Sequence, residues 1–360
     1  MRNFLKWDET NSVLQIVGFL YNGIWFQEFG KIQSKILSLK KTNILINMQE
    51  CVFVSPTPFL SLLLTLNKAK IVNDCKIQII LPVGNTEENK KFLNYCAREG
   101  FVDIINEIST NNYDVTVYKD YNVIGVDNFE KILPARIINI HNSNVEEKVS
   151  ALIREINENN LNVDKSQQLY MTVALRNMLQ ELIDNVKNHA YYDDNKYFAV
   201  YIRMRYATDM TKRTGTENNR YEGQRATIKP TEVYIHKAIE VYFQDIGKGI
   251  VRSLEEKGTK YHERPLRESV REVVFKENFE KRQNKTPING LAILRKILQE
   301  KNNYFSVYNQ REGTGTFSVD GKKIPVNSIR LEGQEYGIEG QIYNFTLFDR
   351  EKNLYDEPNE

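Results

Sequence analysis

The chain has 360 residues, 41% of them apolar and 27% charged, which is ordinary for a globular protein and long enough for two domains with cores of their own. A formal net charge of +2 gives no electrostatic ground for nucleic acid or a membrane surface as partner. No run approaches the ~20 apolar residues that span a bilayer, and the first residues lack the apolar core of a secretory signal, so a cytoplasmic location is expected.

In chain order, short apolar runs alternate with amphipathic segments at residues 43–47, 59–72, 76–82 and 87–99. That order is βαβα, which predicts a sheet with helices packed on it. Cys51, Cys75 and Cys96 fall in this region at spacings that fit neither a zinc site nor a disulfide framework, and read as reduced thiols. Residues 101–105 and 137–140 read as further strands. Asn142, Ser143 and Asn144 precede a helical run from Val145 and form a capping signal. The boundary is placed there, dividing an α/β module at residues 1–142 from a second domain at 143–350, with a polar tail at 351–360.

From Met171 the apolar positions Ala174, Leu175, Met178, Leu179, Leu182 and Val186 keep helical spacing and predict an amphipathic helix. Glu181, Asn185 and His189, four apart, line one edge of its stripe. A strand at 197–205 leads into a polar loop at 207–230, whose Arg213, Arg220, Arg225 and Lys229 read as solvated. Strands at 232–235 and 239–245 follow, the latter delivering Asp245 at its end, before Gly247, Gly249 and Ile250. Residues 252–287 are charged, and after Asn289, Gly290 and Leu291 a second amphipathic helix carries Leu294, Ile297 and Leu298. Strands at 304–308, 315–319 and 342–348 close the domain.

These residues suit nucleotide chemistry. Mg²⁺ takes oxygen ligands and keeps several waters, so the amide oxygen of Asn185 together with phosphates is a sufficient anchor. Glu181, one turn earlier, can orient and deprotonate an attacking water or hydroxyl. Asp245 offers a carboxylate acceptor for an exocyclic amine, beside glycines that leave the backbone free of Cβ atoms. The helix after Gly290 offers free N–H groups to phosphate oxygens. Taken singly, each has a plain structural alternative: a surface helix acid, a strand-to-turn junction, a glycine before a helix.

In order and context, Glu181-x-x-x-Asn185, Asp245-x-Gly247-x-Gly249-Ile250 and Asn289-Gly290-Leu291 resemble the N, G1 and G2 boxes of the GHKL ATPase superfamily. The resemblance covers roughly residues 145–348 and implies an α/β (α+β) architecture, a Bergerat-type sandwich with a mixed sheet. It implies ATP and Mg as cofactors, Glu181 as general base, Asn185 as Mg ligand and Asp245 as the adenine-reading acid. His189, Gly247, Gly249, Ile250, Gly290 and Leu291 would border the nucleotide under a lid at 252–287. The run Glu181, Asn185, His189 is most similar to the anti-sigma-factor serine kinases. Position 288 is Ile where the G2 box usually has Gly. Residues 315–317 and 340–342 both fit the closing Gly-Thr strand; the second is preferred because it leads into the last strand, with Gln341 in place of the usual Thr.

The N-terminal module resembles a STAS domain through residues 52–59, which follow a strand and open a helix. Pro56 stands where that family carries its phospho-accepting Ser, which implies a module that binds a protein partner, with Ser55 or Thr57 as reserve acceptors. The expected activity is Mg-dependent ATP hydrolysis acting as a conformational switch. The alternatives are a protein serine/threonine kinase of the anti-sigma type and a non-catalytic nucleotide-sensing scaffold. A protein partner is expected through the N-terminal module, with a homodimer as an admissible assembly; nucleic acid and membrane are not expected.

Overall fold

A computed structural model describes residues 4–121, 129–140, 145–158, 165–187, 196–206, 235–247, 304–309, 315–320, 323–330 and 340–350. Its helices and two sheets make an α+β fold. The smaller sheet begins with β1 (Leu5–Asp8) and β2 (Val13–Leu20), an antiparallel hairpin turned by the Asp8 carboxylate, which accepts the N–H groups of Thr10 and Asn11. Helix α1 (Asn22–Ser38) crosses to β3 (Asn43–Val54), and α2 (Pro56–Asn73) crosses to β4 (Lys76–Ile80). Both crossovers join parallel neighbours, so this sheet, of order β1-β2-β3-β4, is mixed. Helix α3 (Glu87–Arg98) follows, its N-cap Thr86 accepting the Asn89 N–H.

Residues 101–105, expected as a strand, instead begin helix α4 (Phe101–Ile108). Phe101, Ile104, Ile105 and Ile108 are buried at helical spacing, and a five-residue apolar window is too short to separate that period from a strand. Gly100 caps the helix with φ +88°, where a Cβ would stand 2.8 Å from the Pro134 side chain. β1, β2, α1, the short α5 (Val115–Lys119) and a strand at Lys323–Arg330 are additional to the elements read from the sequence.

The larger sheet contains β5 (Phe129–Ile140), β6 (Lys196–Tyr206), β7 (Ile235–Asp245), β8 (Tyr304–Asn309), β9 (Gly315–Asp320), β10 (Lys323–Arg330) and β11 (Gln341–Arg350). Its order is β10-β9-β8-β11-β7-β6-β5, and every pairing is antiparallel, so the mixed sheet of this fold is the N-terminal one. β5 lies on the N-terminal side of residue 142 yet pairs with β6. Helices α6 (Val145–Glu158) and α7 (Lys165–Asn185) pack on each other, and Arg136 of β5 forms an ion pair with Glu155 of α6. No described helix is long and apolar enough to cross a membrane.

Helix α2 explains how the two sheets meet. Pro56 opens it without losing a needed donor, and its residues are apolar around most of the circumference, the pattern of a helix buried on all sides. It packs on α1, α4 and β4, and also on β6 and β7. Phe59 stacks on Phe101 at 4.6 Å between ring centroids, and Phe101 meets Tyr201 of β6 at 5.7 Å. One apolar cluster therefore runs from the small sheet through α2 and α4 to Tyr197, Ala199, Tyr201, Tyr242, Ile246 and Ile342 of the large sheet.

Several polar groups buried at this junction are paired. The Tyr201 hydroxyl donates to Glu99 at 2.5 Å, and the Ala135 N–H donates to the Glu99 carbonyl at 2.8 Å. Arg203 and Glu240 face each other in register on β6 and β7, Nε to Oε2 at 2.6 Å. The Tyr242 hydroxyl both donates to Glu240 and accepts from Arg203. Ser55 and Thr57 are fully buried in the same junction, so neither is presented to a kinase as the reserve acceptor expected of it.

Candidate functional site

Helix α7 buries Ala174, Leu175, Met178, Leu179, Leu182, Ile183 and Val186, the stripe read from the sequence with Ile183 added. Glu181 and Asn185 sit half-buried at its edge. Burial is the main reason the Glu181 carboxyl titrates above the ordinary glutamate range. The nearby Asp184 carboxylate pushes it further up, and the Asn185 amide pulls it partly back. Asp184 is held in turn by Gln180, whose Nε2 donates to Oδ2 at 3.0 Å. Nδ2 of Asn185 is buried without a hydrogen bond of good geometry.

Asp245 ends β7 and is buried, with Oδ1 accepting the Gly247 N–H at 2.9 Å, which sets the direction of the carboxylate at the start of the turn. On either side it is flanked in register by Phe198 of β6 and Gln341 of β11. Gly340, just before β11, has φ +102°, and a Cβ there would lie 1.9 Å from the Asp245 carbonyl oxygen and 2.6 Å from the Ile246 Cα. Of the two segments that fit a closing glycine strand, residues 340–342 are therefore the ones that meet Asp245. Gly315 opens β9, which is separated from β7 by β8 and β11.

Strand alternation places Phe243, Asp245, Tyr343 and Phe345 on one face of the large sheet and Tyr242, Gln244, Ile342 and Asn344 on the other. Tyr343 is buried on the Asp245 face of the large sheet. Its phenol titrates well above the ordinary range, chiefly through burial and then through the negative charges of Asp245 and Glu181. Both acids thus lie within electrostatic reach of one hydroxyl. Tyr343 carried no signal in the sequence beyond its parity with Gln341.

The opposite face is tied to the N-terminal module. Gln244 Nε2 donates to the Thr57 carbonyl at 2.9 Å, Asn344 Nδ2 donates to Thr57 Oγ1 at 3.1 Å, and Lys68 Nζ donates to the Ile246 carbonyl at 3.1 Å. These partners are separated by 187, 287 and 178 residues, and no local pattern in the sequence points to them.

Of the expected site residues, Glu181, Asn185, Asp245 and Gly247 are described, while His189, Gly249, Ile250, Gly290 and Leu291 lie outside the described residues, as do the expected lid and Ile288. Among the described residues no three His, Cys, Asp or Glu side chains converge as a metal cage. Cys51, Cys75 and Cys96 are buried free thiols. Burial pushes Cys51 up to about 12 and Cys96 well above its ordinary value, so neither is a reactive thiolate. No family model matches this chain, and no curated protein matches it.

Proposed function

We propose that this is an ATP-binding regulatory protein of the GHKL kind that hydrolyses ATP with Mg²⁺ as a conformational switch, its STAS-like N-terminal module binding a protein partner in the cytoplasm. The observation that carries this reading is the geometry at the end of β7, where the Asp245 carboxylate is directed by the Gly247 N–H at 2.9 Å and its carbonyl is abutted by Gly340. Glu181, half-buried on α7, has its pKa raised by burial, as a general base working near neutral pH requires. Asp245, directed by Gly247, is placed to accept the exocyclic amine of adenine. Glu181 orients and deprotonates the attacking water.

Asn185 suits the metal. Its amide has one buried end without a good hydrogen bond, and a half-turn of the amide presents either the nitrogen to a phosphate oxygen or the oxygen to a cation. Mg²⁺ bound with the nucleotide would neutralise phosphate charge as it shifts during transfer. The protein's part is then to hold the amide, keep the Glu181 carboxyl ready to accept a proton, and shield both from bulk water.

Calorimetric titration with Mg·ATP tests the reading. The wild type is expected to bind, Asp245→Asn to bind at least tenfold more weakly, and Glu181→Gln to bind normally without releasing phosphate. Failure of the wild type to bind overturns the reading. Label passing from γ-labelled ATP to a protein instead of free phosphate replaces the hydrolytic switch with a serine/threonine kinase.

A further inference from the structure

We propose that Lys68 and Thr57, both on helix α2 of the N-terminal module, are positioning residues for the adenine-reading turn at Asp245, so that the nucleotide site is complete only with that module docked. The proposal rests on the nucleotide reading of Asp245 given above.

Three hydrogen bonds from this one helix fall on the immediate neighbours of the site. Lys68 holds the carbonyl of Ile246, the residue after Asp245; Thr57 holds Gln244, the residue before it; and Thr57 also holds Asn344, next to Tyr343. Thr57, Gln244 and Asn344 are all buried, so these bonds operate where water does not compete for them. Because side chains alternate along a strand, Gln244 and Asn344 face α2 while Asp245 and Tyr343 face the opposite side. A shift of either polar residue moves the adjoining site residue through a single peptide unit.

The described start of the turn is also held from two other sides. Gly340 abuts the Asp245 carbonyl on one side, and the Gly247 N–H binds the carboxylate on the other. The ammonium of Lys68 on the Ile246 carbonyl is a side-chain tether to this turn from the N-terminal module. Without it the Asp245 carboxylate loses its register with the base, while phosphate contacts elsewhere are untouched. The predicted signature is therefore a loss of base discrimination. By linkage, a partner that displaces α2 changes nucleotide affinity by the same factor by which nucleotide changes the partner's.

The test is the ratio of the dissociation constants for Mg·GTP and Mg·ATP, measured by calorimetry on the full chain, with urea unfolding run in parallel. Wild type is expected to favour ATP. Lys68→Met, which keeps the aliphatic stem, is expected to weaken ATP about tenfold with GTP nearly unchanged, and Lys68→Arg to restore much of the difference. Thr57→Val keeps side-chain volume and the carbonyl bond to Gln244 but removes the hydroxyl that holds Asn344, and is expected to move the ratio in the same direction by less; Gln244→Leu, which removes the bond to the Thr57 carbonyl, carries the test should Lys68→Met not fold. A merely structural role would lower the binding stoichiometry through unfolded protein and leave the ratio alone. An unchanged ratio in folded variants, with wild type binding ATP, overturns the positioning role and leaves the nucleotide reading standing. A wild type that binds no ATP overturns both.

Discussion

Gly340 passes Asp245 at a distance that admits no side chain: a Cβ on Gly340 would stand 1.9 Å from the Asp245 carbonyl oxygen, and the φ of +102° at that position belongs to glycine. The contact brings the first residues of β11 against the last residue of β7, and it sets where the turn after Asp245 begins. Gly340→Ala is expected to destabilise the protein on the order of 3 kcal/mol or more, read as a lower urea midpoint, and to abolish nucleotide binding in the fraction that remains folded.

Glu181 sets a pH dependence with a definite sign. Its pKa is raised in the folded protein by burial and by Asp184, so between the unfolded and folded values the native state binds more protons. Stability therefore falls as pH rises through that window, and at neutral pH the ionised carboxylate is a net burden on the fold. Glu181→Gln is expected to raise the urea midpoint at neutral pH while abolishing turnover. A lower midpoint would show that the carboxylate is stabilised in the native state.

With Glu181 as the proposed base, the acid limb of the turnover profile is expected above the ordinary glutamate value of about 4.3. Asp184→Asn removes the charge that pushes Glu181 up and is expected to move that limb toward lower pH. A profile unmoved by this change would assign the limb to another group.

Arg203 and Glu240 are both almost fully buried at the junction of the large sheet with the N-terminal module. Removing one partner strands a charge, so Glu240→Leu alone is expected to destabilise by about 3–5 kcal/mol, whereas Arg203→Met with Glu240→Leu together is expected to be much closer to wild type. Additive single and double effects in chemical unfolding would contradict a coupled pair.

Ser55 and Thr57 have no exposed surface, and Thr57 is bonded to Asn344. Mass spectrometry after incubation with ATP and candidate kinases is expected to find both unmodified in the folded protein. Phosphate on either one would mean that α2 leaves the large sheet.

Much of the architecture could be read locally. The α7 stripe is an i, i+3, i+4 pattern over several turns, long enough that only a helix satisfies it, and Glu181 and Asn185 follow as its edge. The strand ending at Asp245 and the turn at Gly247 were equally plain, because alternation and glycine placement are properties of consecutive residues. The preference for residues 340–342 as the closing strand rested on chain order and agrees with the contact at Asp245. Where the window was short, local reading failed: residues 101–105 are helix because Ile108 completes a stripe that five residues do not display.

The chain's own pattern thus determined that there is an amphipathic helix with an acid and an amide on its border, and a strand that ends in an acid before glycines. Only the tertiary structure decided that Gly340 meets Asp245, that β5 joins the large sheet, and that α2 grips the back of the Asp245 turn through Thr57 and Lys68. The reason is physical. Periodicity encodes which face of an element is apolar, but it does not encode which other element covers that face. The hydrogen bonds from α2 to the strands around Asp245 join groups at least 178 residues apart, and they exist only because burial of α2 between two sheets brings them together.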